Sequence, residues 1–117
     1  MKTMGLIGGM SWESSLEYYR IVNETVKEKL GGLHSCKCLM YSVDFGVIEA
    51  LQHQNKWDEL TKLMIEAAQN LKHGGADFIV ICTNTMHKMA PEIETATGLN
   101  VLHIADFTGA AISKDQI

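Results

Sequence analysis

Asp77-Phe-Ile-Val-Ile-Cys82-Thr83-Asn84-Thr85-Met86-His87 decides how the rest of this sequence folds. Phe78, Ile79, Val80, Ile81 and Cys82 make an unbroken apolar run with β-branched residues at its centre. An alternating pattern would mark a half-exposed strand; a continuous one marks a strand covered on both faces of a parallel sheet. Small hydroxyl and amide residues follow at once, then a helical pattern. The run therefore presents a thiol at the carboxyl end of a central strand, beside a helix start. In open α/β sheets ligands bind at that edge, and helix N–H groups there favour a thiolate and a bound anion. Cys82 reads in two ways: as a buried, inert thiol, the common fate of a lone strand cysteine, or as a reactive one. The Thr83-Asn84-Thr85 tail weighs toward the second, because a structural cysteine needs no three hydrogen-bonding side chains behind it.

Working outward, Met4-Gly-Leu-Ile-Gly8-Gly9-Met10 reads as a first strand running into a glycine turn. Ser11 is a candidate cap for the next helix, and Ser14-Ser-Leu-Glu17 is a second start with capping-box spacing. Leu16, Tyr19, Val22, Val26 and Leu30 form one helical apolar stripe, and Gly31-Gly32 stops it. The glycines match neither G-x-G-x-x-G nor G-x-x-x-x-G-K-[ST], which argues against nucleotide binding. The turn does offer free N–H groups at a helix start, suited to a carboxylate as well as a phosphate.

Leu39 to Val43 reads as a second strand, preceded by Cys36-Lys37-Cys38. No further Cys or His cluster completes a metal site around that pair. The pair also lies at the amino end of its strand, the opposite edge from Cys82, so structural thiols are expected. Asp44 reads as a cap for a short helix holding Ile48, Glu49, Leu51 and Gln52, with Gln52 and His53 as surface. Leu60, Leu63, Met64, Ala67, Ala68 and Leu71 make the clearest amphipathic helix, with Asn55 as its cap and Gly74-Gly75 as its stop. Met86 to Ala90 reads as helical, Pro91 as a first-turn residue and Gly98 as a stop. His87 is helix-borne on this reading, and its nearness to Cys82 in sequence does not make a Cys–His pair. Asn100 to Ile104 is a fourth strand, with Asp106 capping a last helix. The expected order is β-α-β-α-β-α-β-α in one domain, residues 1–117: a four-stranded parallel sheet with helices on both faces, a Rossmann-like or flavodoxin-like lobe.

The 117 residues suffice for one core and carry a formal net charge of −4. With mixed charges throughout, nothing resembles a basic stripe for nucleic acid or a polybasic membrane patch. No apolar run reaches the roughly 18 residues of a transmembrane helix, and no signal-peptide pattern precedes the first strand. Three cysteines, an odd number, suggest a reducing cytoplasm rather than a disulfide scaffold.

Gly5-Leu-Ile-Gly-Gly-Met-Ser-Trp-Glu-Ser14, Tyr18-Tyr-Arg20, Ser42-Val-Asp-Phe45 and Cys82-Thr-Asn-Thr-Met-His87 together resemble the amino-terminal half of the aspartate/glutamate racemase family, closest to its aspartate-racemase and broad-specificity branch. The resemblance spans nearly the whole chain. It implies one of two similar lobes flanking a cleft, each giving one cysteine to a racemisation that needs neither pyridoxal phosphate nor metal. One thiolate takes the α-proton from one face of a small amino acid while the opposite thiol delivers a proton to the other. By resemblance the first cysteine is Cys82, and Met10, Ser11, Thr83, Asn84, Thr85 and, less directly, Gln52 contact the substrate. The second cysteine belongs to a Gly-Cys-Thr motif absent from this sequence. The resemblance therefore implies an isolated first lobe, incompetent alone, whose uncovered apolar surface favours a homo-oligomer. A basic clamp for a second carboxylate is not evident between Asp44 and Gln52, so the preferred amino acid stays open. Two alternatives stand beside this reading: a superfamily isomerase of another substrate, and a non-catalytic module that holds a small carboxylate at the glycine turn.

Overall fold

The apolar runs pair as expected, into a four-stranded sheet of order β2-β1-β3-β4. A computed structural model describes residues 1–83 and 85–102. The strands are β1 (Met4–Gly8), β2 (Cys38–Ser42), β3 (Phe78–Ile81) and β4 (Val101–Leu102), and every pairing is parallel. The helices are α1 (Trp12–Leu30), α2 (Phe45–His53), α3 (Trp57–His73) and α4 (Ala90–Thr97), with a 3-10 turn at Thr85–Met89 leading into α4. The expected last helix with its Asp106 cap, and the end of the fourth strand beyond Leu102, lie outside the described residues.

Side chains alternate across the sheet with the two-residue period of a strand. Ile7, Ile79 and Ile81 face one side, where they pack with Ile48 of α2, with Leu60, Met64, Ala67, Ala68 and Leu71 of α3, and with Ile93 of α4. Met4, Leu6, Phe78, Val80 and Cys82 face the other, against Val22 and Val26 of α1. Helices thus cover both faces, which is why β1 and β3 can be apolar throughout. The α3 stripe is core as its spacing predicts, with Leu63 only half-buried. Lys88 lies over the Trp57 ring, 3.2 Å from its centroid, and Lys72 Nζ donates to the Thr97 carbonyl at 2.6 Å; both tie the α4 segment to α3.

The α1 stripe divides. Val22 and Val26 are fully buried, but Leu16 is 60% and Tyr19 48% exposed, and the other buried residues of the helix are Ser15 and Thr25. The physical reason is the edge position of β2: no described strand lies beyond it to meet the first turns of α1. Trp12, Leu16, Tyr19 and Met40 therefore line an open groove of ≈490 Å³. Caps differ too. Asp44 caps α2 as expected, accepting from the Gly46 N–H at 3.0 Å. Asn55 does not cap α3; it takes a left-handed φ of 57° in the turn before the helix, a conformation asparagine tolerates. Ser14 sits inside the first turn of α1 rather than at a second start.

Candidate active site

The chain leaves β1 toward β2 on one side and returns across β1 to β3 on the other. The crevice beyond the carboxyl ends of β1 and β3 is therefore the topological switch point, where α/β sheets of this kind hold ligands. Two sequence features meet there: the Gly8-Gly9-Met10-Ser11 turn and Cys82-Thr83. The strand end that leads into the turn is tied to Cys82, whose N–H donates to the Ile7 carbonyl at 2.9 Å.

The glycine turn is held from two sides. The Val43 N–H donates to the Gly8 carbonyl at 2.8 Å, tying the turn to the β2–α2 corner. On the other side the Gly9 N–H donates to Ser15 Oγ at 2.8 Å, a buried bond. Gly9 has φ +89°, and a Cβ there would lie 2.6 Å from Ser42 Oγ and 2.7 Å from Val43 N. Only glycine fits. Ser15 has no place among the residues picked from the sequence, although a signal for it exists. It shares the buried face of α1 with Val22 and Val26 at helical spacing, and a polar residue on a buried face calls for a hydrogen-bond partner.

Met10 is buried, with its side chain in the α3-side core, so only its backbone is presented at the edge. Ser11 takes a left-handed φ of 60° and makes no side-chain cap; its hydroxyl donates to Glu13 Oε2 at 2.9 Å. Thr83 is half-buried beside Cys82. Asn84 lies outside the described residues, and the backbone of Thr85 opens the 3-10 turn. Gln52 stands on the last turn of α2, about 10 Å along the helix axis from the Phe45 end that meets the sheet edge. The structure thus brings Met10, Ser11, Cys82 and Thr83 together and leaves Gln52 apart.

Cys82 is 0% exposed, its thiol on the α1 side of the sheet. Burial, and then the nearby Cys38 thiol, push it from its ordinary 9.0 up to about 12. The sequence suggested a helix start that would favour the thiolate, and the structure corrects this. A 3-10 turn follows Cys82 and the next α-helix begins only at Ala90, so the helix that follows the strand does not set its N-terminus against the thiol, and desolvation dominates. Tyr18 packs against the same cluster, and burial followed by the Cys82 charge raises its phenol. As it stands the site holds a neutral thiol under a backbone cradle. Cys36 and Cys38 lie at the amino edge, Cys38 in register with Met4 rather than with the turn after Gly8.

This fold and this pairing of a glycine turn with a strand-end cysteine define the chain's class: it belongs to the Asp/Glu/Hydantoin racemase family, which it matches over residues 7–116. Among solved structures it is similar to a candidate Asp/Glu racemase from Yersinia pestis, at 59% identity and a TM-score of 0.86 over 91% of this chain. It is also similar to an aspartate racemase homologue from Pyrococcus horikoshii, at 31% identity and a TM-score of 0.78, again over 91% of the chain. In both cases the match covers 46% of the other protein, so the chain spans about half the length of these relatives. Among the described residues no helix is long and apolar enough to cross a membrane.

Proposed function

We propose that this chain supplies the first half of a cofactor-independent amino-acid racemase site, with Cys82 as one of two proton carriers. The observation that carries the reading is the meeting of the glycine turn and Cys82 at the switch point. First-turn N–H groups of α1 bind the substrate carboxylate, and Thr83, Asn84 and Thr85 hold its ammonium group. Inversion at Cα needs an acid and a base on opposite faces. Cys82 serves one face, and a thiol outside these 117 residues serves the other, because Cys36 and Cys38 sit at the wrong edge. The substrate's ammonium group, brought beside Cys82, supplies the positive charge that the free site lacks and lowers the thiol toward neutrality. The chain alone is then inactive, in keeping with a thiol held neutral by burial. The reading keeps the small amino-acid substrate class, a cytoplasmic setting suited to three free thiols and self-association through the exposed strip around Trp12 and Leu16. A monomer by light scattering at high concentration would refute that last point.

The test is loss of optical activity from L-aspartate, L-glutamate and neutral amino acids. This chain would be fused to the carboxyl-terminal half of the Yersinia relative. Racemisation that disappears in Cys82→Ser supports the reading; racemisation unaffected by that change overturns it. The burial of Cys82 also suits a second reading, a carboxylate-binding module without catalysis. That module would bind amino acids equally well in Cys82→Ala and would exchange no α-proton.

A further inference from the structure

Cys38 opens β2 and Cys36 lies two residues before it; the Met4 N–H donates to the carbonyl of Lys37 between them at 2.9 Å. Both thiols pack against the α1-side cluster, as a two-residue spacing on extended chain requires. The segment is fixed from α1 as well, since Asn23 Oδ1 accepts from the Cys36 N–H at 2.8 Å. Neither cysteine is fully buried; partial burial nonetheless raises both thiols, Cys36 to about 12, and a hydrogen bond links the two. These are two sulfurs, held side by side and within reach of solvent. The proton-transfer reading makes no use of them.

We propose that Cys36 and Cys38 form a two-thiolate site for a soft monovalent cation, cuprous copper, separate from the edge that carries Cys82. Spacing favours a bridging ion over a disulfide. Two residues of strand span about 6.6 Å, at the far end of the Cα separation a disulfide accepts, about 4.4–6.8 Å. Two metal–sulfur bonds of about 2.3 Å reach much further than one S–S bond of about 2.05 Å. Ligand number decides the metal. Among the described residues no three Cys, His, Asp or Glu side chains gather to hold an ion, short of the four protein ligands of a structural zinc site. Softness selects copper(I) for thiolates, and a d10 monovalent ion accepts linear two-coordination. Met40, two residues further along the same face, turns its sulfur toward Gly8 and is not counted as a ligand. Cys38 also lines the open apolar groove with Trp12 and Tyr19, which gives the ion a route in. Binding releases one proton from each thiol and leaves copper in the +1 state, so no oxidant or reductant is consumed.

The experiment is an anaerobic titration of the reduced chain with cuprous ion against the chromogenic chelator bicinchoninate. The expected result is one copper per chain withheld from the chelator, lost in Cys36→Ser and in Cys38→Ser and retained in Cys82→Ala. Circular dichroism confirms that each variant is folded, and X-ray absorption of the loaded chain should show two sulfur neighbours and no nitrogen. Copper that the chelator removes entirely, or that the Cys36/Cys38 double variant still holds, or that Cys82→Ala loses while folded, overturns the assignment.

Discussion

Replacing Gly9 by alanine probes the architecture of the site more sharply than any other single change. Its φ of +89° is a conformation that side-chain-bearing residues adopt at a cost of about 1–2 kcal/mol. The new Cβ would also lie 2.6 Å from Ser42 Oγ and 2.7 Å from Val43 N. Backbone on that side cannot swing away as a side-chain tip can, so relief means moving the β2–α2 corner, an overpacking cost of about 1–3 kcal/mol. The movement endangers the 2.8 Å bond from Val43 N–H to the Gly8 carbonyl, worth about 1 kcal/mol. The sum is about 3–6 kcal/mol, a large share of the roughly 5–15 kcal/mol that holds an ordinary domain folded. Gly98→Ala is the control: it too is left-handed, at φ +73° and ψ 6°, but nothing lies within 4 Å of the added carbon. It should cost only the conformational part, about 1 kcal/mol. Urea unfolding followed by fluorescence of Trp12 and Trp57 measures both. Equal losses in the two variants, within about 0.5 kcal/mol, would refute the claim that the turn is clamped against the β2–α2 corner.

Four further outcomes are expected. Ser15→Ala leaves the buried Gly9 N–H without its acceptor, costing about 1–3 kcal/mol, with faster hydrogen exchange at Gly9 as the specific readout. Leu60→Ala, at a fully buried position, should cost about 2–5 kcal/mol. Leu16→Ala, on the same sequence-level stripe as Val22 but 60% exposed, should change stability by about 0.5 kcal/mol or less, as thermal unfolding would show. Stability should also fall in alkali. The native Cys82 thiol keeps its proton up to about 12, while the unfolded chain loses it above 9.0. Over that window the unfolded state binds fewer protons, so Cys82 removes up to about 1.4 kcal/mol per pH unit. Unfolding of wild type and Cys82→Ala between pH 8 and 11 checks this, the variant showing the shallower slope.

How much of this was legible follows from what each residue depends on. The strand at Phe78–Ile81 and the helix from Leu60 to Leu71 announce themselves because both are buried by local pattern alone. Asp44 as a cap and Gly98 as a stop are equally local, decided by one side chain or one φ. Leu16 and Tyr19 misled for the opposite reason. Periodicity marks a face, but only the sheet's edge decides whether anything lies against it. Asn55 has the composition of a cap and the geometry of a left-handed turn, a choice that depends on how α2 ends. At the site, the meeting of Gly8-Gly9 with Cys82 was readable from strand order. The state of the thiol was not, because it depends on the length of the 3-10 turn before α4 and on the depth of burial under α1. Ser15 escaped notice because its partner is a backbone N–H, which no sequence pattern displays.

Deuterium incorporation at Cα, followed by proton NMR in heavy water, tests the central claim most directly. Aspartate and glutamate would be incubated with the 117-residue chain, and separately with the chain joined to a relative's carboxyl-terminal half, each as wild type and Cys82→Ala. The account predicts no exchange by the chain alone, exchange with loss of chirality in the joined protein, and loss of that racemisation in Cys82→Ala. Exchange with inversion by the chain alone, or racemisation in the joined protein that survives the loss of Cys82, would contradict it.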